Sequence, residues 1–460
     1  MKKKSHVFLT ISLIVLIYTI YRDTVYNNSN DPNLLGEGIF HTYYYKYYFI
    51  SIILILLSIT TYFFNKKTKT KFLQISTFLI ISLYSIESLL NFYQFYNLNK
   101  MVENIKNNII KIDNFDKRSV VEFMIDKDIK KKDFLVSPIL LKNENNLQIL
   151  PLSSKSFTKY FRGEKEFGYY SEYITDKYGF RNLDEEWDNN AVETIIIGDS
   201  YLMAGNIDTT IPILLKKLTK GNKSVISLSN TSVGPMFHYA VAKEYAFINK
   251  VKNLILFYYE PNDLTNLEVE LKIPVLKKYL EKEKFTQNLK NKQDIINNIF
   301  DDSNIIKSKQ KLNVNNFSSK NYIFDRKQFN YKFNLNSFVK LGKLRNLTLE
   351  YKKKKPTEEF KIIIKKFKEL SKKNNTNFYF VYVPGINRYL KGFQLSDDAR
   401  YYGNVIKILE DLEINVIDLH KEFYLKASNP LEYFPLKSYG HTTLNANKLI
   451  SKIIFEKIDN

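Results

Sequence analysis

The sequence predicts an α/β domain, with a parallel sheet between two layers of helices, preceded by three membrane-spanning helices. Three features lead there. Three apolar segments crowd the chain before about Asn99, short strand-like runs alternate with helical stretches from Val192 onward, and the strand-like runs end in small polar clusters. Alternation of this kind argues for parallel strands joined by crossover helices.

The apolar segments lie at 7–21, 43–64 and 72–93. A spanning helix needs about 20 apolar residues, which the second and third segments supply. The first is short and follows Met1-Lys2-Lys3-Lys4, as the apolar region of a signal peptide would. Tyr18, Tyr21 and Arg22 stand where a cleavage site would need small residues, so an uncleaved helix is expected. Lys2, Lys3 and Lys4 precede the first helix, and Lys66, Lys67, Lys69 and Lys71 fill the turn between the second and third. The loop between the first and second sets Arg22 against Asp23, Asp31 and Glu37. Lys and Arg favour the cytoplasmic side. The expected location is therefore the cytoplasmic (inner) membrane, with the N-terminus inside and everything after about Asn99 periplasmic or otherwise extracytoplasmic. Tyr43, Tyr44, Tyr45, Tyr47 and Tyr48 crowd one end of the second helix, as an interfacial aromatic belt does.

The domain plan is an anchor over 1–99, a lead-in subdomain over 100–190, and the α/β domain over 191–460 with an insertion at about 265–355. The lead-in carries a charge run at 127–132 and strand-like pieces at 134–141 and 147–152. In the α/β domain, strands are expected at 192–197, 224–228, 253–259, 377–383 and 415–419. Helices are expected at 209–218, 237–249, 357–372, 397–412 and 444–458. The insertion is rich in Lys and Asn with little clean periodicity. Helix is the conformation considered for it, without an assigned role.

Composition narrows the chemistry. The net charge is +21, but the lysines are scattered and no nucleic-acid motif accompanies them, so DNA or RNA binding is not read. The chain has no Cys, which excludes disulfides, thiolate metal sites and a Cys nucleophile. Its 5 His residues are too spread for a zinc-type cluster, and neither a metal nor a cofactor is expected.

Ligands of an open parallel sheet bind outside the carboxyl ends of the strands. Ser200 follows the first strand in Gly198-Asp199-Ser200, Gly234 follows the second, Asn262 follows the third, and His441 stands before the last helix. This set suits acyl transfer. A Ser hydroxyl needs a base within reach, which His441 supplies. The oxyanion needs aimed donors, for which the N–H groups of Ser200 and Gly234 and the amide of Asn262 are candidates. His238 and His420 are rival bases. Asp199, Asp418 and Ser438 are supporting candidates, Asp418 as an orienter of the imidazole.

The residues also resemble a family. Val192–Ser200 is similar to the first block of SGNH (GDSL-like) hydrolases, Asn230–Gly234 to the second, Phe257–Asp263 to the third, and Tyr439-Gly440-His441 with Asn447–Ile450 to the last. Tyr178–Asn182 resembles a segment preceding the first block in membrane-linked, extracytoplasmic members. The resemblance implies a three-layer flavodoxin-like SGNH domain, Ser200 as nucleophile, and Gly234 and Asn262 in the oxyanion hole. Three positions depart from the pattern: Glu260 replaces a Gly, Ser438 stands where an Asp usually precedes the His, and Ala446 replaces a helix Gly. The third triad member is therefore missing or supplied elsewhere, and a Ser/His dyad is one outcome. Membrane-anchored relatives imply O-deacetylation or O-acetyl transfer on a cell-surface glycan, with any acyl donor arriving through a separate membrane partner protein. The alternatives are a non-catalytic binding or assembly factor for surface polysaccharide, and a basic surface that holds anionic polymers.

Overall fold

The computed structural model describes residues 2–27, 39–110, 116, 118, 120–127, 137–143, 149–161, 170–203, 209–219, 223–303, 333–348, 355–390, 398–437 and 440–459. The chain divides into two units, Met1–Tyr96 with Lys332–Lys353, and Asn97–Tyr331 with Lys354–Asn460.

Helices Lys2–Asn27 and Lys66–Ile110, the latter running past the end of the first unit, cover the first and third expected apolar segments, and Ile39–Thr60 with the 3₁₀ turn Thr61–Phe63 covers nearly all of the second. Among the described residues one helix, Lys66–Asn104, is long and apolar enough to cross a membrane. The other two apolar stretches, Phe8–Tyr21 and Tyr47–Phe63, are shorter than a span. Of the three expected spans, one therefore has the length and composition of a span among the described residues, and the other two do not reach it there. Those two helices meet through Ser12 and Ser58, whose hydroxyls lie 2.7 Å apart. Part of the insertion also belongs here, as helices Leu335–Val339 and Gly342–Thr348.

The first strands of the second unit are a short antiparallel pair, β1 (Lys159–Phe161) with β2 (Glu172–Ile174), where no strand was expected. Its body is a parallel sheet. Strands β3 (Ala191–Gly198), β4 (Val225–Ser229), β5 (Lys250–Tyr259), β6 (Asn377–Val383) and β7 (Asn415–Asp418) run in the order β4-β3-β5-β6-β7. All four pairings are parallel. Each strand carries a near-continuous apolar run because the sheet is covered on both faces. Neighbouring residues feed opposite cores, since side chains alternate across a strand. Ile195, Ile197, Leu254, Leu256 and Tyr258 face one core, shared with helices Pro235–Val241 and Thr357–Lys373. Ile196, Ile255, Phe257 and Tyr259 face the other, shared with helices Ile211–Leu218 and Leu444–Ile458. The result is a three-layer α/β architecture, as expected. The helix expected at 237–249 ends at Val241 and continues as a π turn over Ala242–Ala246.

The lead-in residues belong to this same unit. Of the strand expected at 134–141, residues 134–136 lie outside the described residues, and the rest runs into a 3₁₀ segment, Pro138–Asn143, which starts at the helix-compatible proline. The turn that follows β2 is organised by the buried carboxylate of Asp176. It accepts from the N–H groups of Tyr178 and Phe180, from Asn182 Nδ2 and from Trp187 Nε1, all at 2.8–2.9 Å. Gly179 makes the turn feasible, because its φ is +81° and a Cβ there would fall 1.9 Å from the Ser154 carbonyl oxygen. Asn182 then pairs with both backbone groups of Ser227 on edge strand β4, at 2.7 and 3.0 Å, which satisfies groups that a bare edge would expose. The charge run, from position 128 to its end at 132, lies outside the described residues, as does the insertion over 304–332. The insertion's helices Pro274–Glu281 and Gln293–Asp302 pack on the first core.

Candidate active site

Strand β3 delivers Ser200 to the carboxyl edge of the sheet. Gly198 allows this, since a Cβ there would lie 2.9 Å from Leu202 Cδ1 and 3.0 Å from Phe257 Cβ. Ser200 opens a 3₁₀ turn, Ser200–Met203. Asp199 fixes that turn by accepting the N–H of Tyr201 at 2.9 Å.

The last helix delivers the base. Thr443 caps Leu444–Ile458 by accepting the N–H of Ala446 at 3.3 Å. Thr442 donates to Asn447 Oδ1 at 2.5 Å, and Asn447 Nδ2 donates to the Thr209 carbonyl at 3.0 Å. The loop before the helix is thereby stapled to the segment that follows Ser200. His441 Nε2 lies 3.1 Å from Ser200 Oγ, within the reach required of a nucleophile and its base. The rings of Tyr259 and Tyr201 flank the imidazole at 6.1 and 6.3 Å between centroids. Tyr201 is fully buried, which raises its hydroxyl pKa and keeps it neutral.

The expected oxyanion donors are not all brought together. Asn262 Nδ2 donates to Asp199 Oδ2 at 3.2 Å, which places that amide beside the nucleophile's own turn. Gly234 is placed otherwise. Its N–H donates to Glu270 Oε1 at 2.5 Å, and Glu270 Oε2 accepts from Met236 and Phe237 at 3.0 and 3.3 Å. The buried carboxylate thus takes the N–H that the oxyanion was expected to use. Glycine is needed at 234 for packing, because a Cβ would meet Asn266 Cβ at 2.8 Å and the Asp263 carbonyl oxygen at 3.0 Å. Burial raises the pKa of Glu270 to about 7, against the opposing effect of the three N–H bonds.

The remaining candidates fall elsewhere. Asp418 is not placed to orient His441. It caps the turn Leu419–Glu422 by accepting from His420 and Lys421, and it accepts from the Tyr402 hydroxyl at 2.5 Å. Ser438 lies outside the described residues. His238 is fully buried in helix Pro235–Val241, and burial lowers its pKa to about 3, so it stays neutral. His420 Nδ1 lies 2.8 Å from the Tyr389 hydroxyl, and burial lowers its pKa. Among the described residues no group of three His, Asp or Glu is placed to hold a metal ion.

Some residues around the site were not signalled by the sequence. Tyr259 donates from its hydroxyl to the Gly440 carbonyl, one residue before His441. Glu260, noted in the sequence only as a departure from the pattern it resembles, forms a buried pair with Arg388 at 2.7 Å. Arg181 reaches from the lead-in to the Met203 carbonyl, at the end of the Ser200 turn. The signals available were the Glu260 departure and the Tyr178–Asn182 segment that holds Arg181.

No family model matches the sequence, and no curated protein matches it. Solved structures do. The chain is similar to a protein assigned to the lipolytic G-D-S-L family from Desulfitobacterium hafniense DCB-2, at 12% identity and a TM-score of 0.31, over 58% of this chain and 99% of that one. It is also similar to the acetyl xylan esterase AlAXEase, at 14% identity and a TM-score of 0.32, over 58% of this chain and 98% of that one.

Proposed function

We propose that the chain is a serine esterase or O-acyltransferase of the SGNH type, anchored in the membrane and acting outside the cytoplasm on acyl or acetyl groups of a cell-surface glycan. The observation that carries this reading is the 3.1 Å approach of Ser200 Oγ to His441 Nε2 at the carboxyl edge of the sheet. In the reaction, Nε2 takes the hydroxyl proton as Oγ bonds to the acyl carbon. The carbonyl oxygen becomes an oxyanion facing the Ser200 N–H and the Asn262 amide. Collapse expels the alcohol, which takes the proton back from Nε2 and leaves Ser200 acylated. Water then completes hydrolysis, whereas a sugar hydroxyl, with the acyl group delivered by a membrane partner, completes transfer. The apolar helix Lys66–Asn104 supports the anchored part of the reading.

The test uses the detergent-solubilised full chain with p-nitrophenyl acetate and an acetylated polysaccharide. Turnover is expected in the wild type, and Ser200→Ala and His441→Ala should each lower kcat by about 10³-fold or more. A wild type without turnover on either substrate, or a fully active Ser200→Ala, overturns the enzymatic reading. The engagement of the Gly234 N–H by Glu270 favours a second reading, a polysaccharide-binding or assembly factor that keeps the fold. Glycan retention by an inactive wild type, unchanged in Ser200→Ala, is the result that selects it.

A further inference from the structure

We propose that residues 333–348 of the insertion form a lipid-seated hairpin, docked on the apolar helix through Glu87 and resting its outward face in the bilayer. The proposal depends on the membrane-anchored part of the reading above and adds an element to it.

Glu87 is the starting observation. It is an acidic residue in the middle of an otherwise apolar run, yet it is fully buried. Its oxygens accept the N–H groups of Lys343 and Leu344 at 2.9 and 2.8 Å, and Asn91 Nδ2 donates to Oε1 at 3.2 Å. Acidic groups inside apolar helices are costly in lipid and are found paired. Here the pairing comes from backbone that lies 256 and 257 residues further along the chain.

The contact extends beyond that carboxylate. The Tyr84 hydroxyl donates to the Val339 carbonyl at 2.7 Å, and the Tyr84 and Phe338 rings lie 5.6 Å apart. Lys340 Nζ stands 5.5 Å over the ring of Tyr18 on the first helix. The hairpin is therefore held at several points by the apolar helices.

Its other face identifies the occupant. Phe333, Leu335 and Val339 are 55%, 65% and 56% exposed. On the helix that holds them, Phe78, Leu79, Ile81, Leu89 and Phe92 are 55–69% exposed. Exposed apolar side chains in this number are not expected to face water, and a helix of spanning length gives them one consistent solvent, hydrocarbon. Depth follows from helical rise. Glu87 stands about 24 Å beyond Lys71 along the helix axis, close to the full hydrocarbon thickness of about 30 Å. The hairpin thus sits near the face of the bilayer opposite the basic turn Lys66–Lys71. Lys340, Lys343 and Arg345 suit that depth, where long cationic side chains reach headgroups.

The chain lacks Cys, so single cysteines can be introduced and spin-labelled without background. The full chain in phosphatidylcholine–phosphatidylglycerol nanodiscs would carry one label at Leu335→Cys, Val339→Cys, Phe78→Cys or the exposed Leu425→Cys, with accessibility to oxygen and to a water-soluble nickel chelate measured for each. The expected result is oxygen-dominated relaxation at 335, 339 and 78, and nickel-dominated relaxation at 425. Nickel-dominated relaxation at 335 and 339 with 78 still in lipid overturns the hairpin and leaves the anchor standing. Water exposure at 78 as well removes both. In a Glu87→Ala background the label at 339 should become more nickel-accessible by at least about threefold while 78 is unchanged, and an unchanged 339 overturns docking through Glu87.

Discussion

The hydroxyl of Tyr259 donates to the carbonyl of Gly440 at 2.5 Å, tying the end of β5 to the residue before His441. The same ring lies 24° from the plane of the imidazole. The two contacts hold the base in place, one through the backbone and one through its face. Tyr259→Phe keeps the ring and deletes the hydrogen bond, worth about 1 kcal/mol. We expect kcat on p-nitrophenyl acetate to fall about fivefold with KM nearly constant, while Tyr259→Leu, which also removes the ring, falls further. Equal activity in wild type and Tyr259→Phe would show that the bond does not position the base.

Gly234→Ala tests whether glycine is needed at that position for packing. The new Cβ would press on Asn266 Cβ at 2.8 Å and on helix backbone at 3.0–3.2 Å, none of it the tip of a flexible side chain. Overpacking of this kind costs about 1–3 kcal/mol. The expected outcome is a lower denaturation midpoint for the α/β domain, read by near-ultraviolet circular dichroism. An unchanged midpoint contradicts the packing role.

Glu270 makes stability depend on pH in a defined direction. Its folded pKa of about 7 lies above the ordinary 4.5, so the folded chain holds the proton longer than the unfolded chain. That contribution is fully present below about pH 4.5, is lost as pH rises toward 7, and is flat above. Asp176, raised by burial to about 6, adds a loss of the same sign at lower pH. Between pH 5 and pH 8 the Glu270 part amounts to roughly 2 kcal/mol or a little more. Urea denaturation across this range should show a shallower slope in Glu270→Gln, whatever its absolute stability. Parallel slopes would mean that Glu270 does not titrate there.

The sheet was legible because parallel strands buried on both faces read as continuous apolar runs, and the run Ile195–Ile197 fits no exposed placement. Ser200 and His441 were legible because each stands at an element boundary where a loop must turn. The bond from the Gly234 N–H to Glu270 was not legible, because the same loop position can serve either an oxyanion or a buried acid, and that acid lies 36 residues away. Tyr259 reads as core from its strand, and its hydroxyl finds its acceptor 181 residues later. The lead-in was opaque for a different reason. Its backbone is held by side chains such as Asp176 and Asn182, and such bonds impose no periodicity on the sequence.

Glu260 stands where the SGNH pattern that the sequence resembles has a Gly, and its partner explains how an acid is accommodated there. Its carboxylate is fully buried and accepts from Arg388 Nε and Nη2 at 3.1 and 2.7 Å, and from the Gly385 N–H at 3.1 Å. The guanidinium also donates to the Ala399 carbonyl and lies 5.1 Å from the centre of the Tyr402 ring. Removing one member of a buried pair strands the other, at a cost of about 3–5 kcal/mol, whereas removing both is far milder. Glu260→Gln and Arg388→Met should therefore each lower the urea midpoint strongly. The double variant should lie above the sum of the two losses by at least about 1 kcal/mol. Because the pair joins the ends of β5 and β6 rather than touching Ser200 or His441, the double variant should also recover esterase activity relative to either single one. Strict additivity in stability would mean that the two charges do not support each other, and that Glu260 is held by its backbone contact alone.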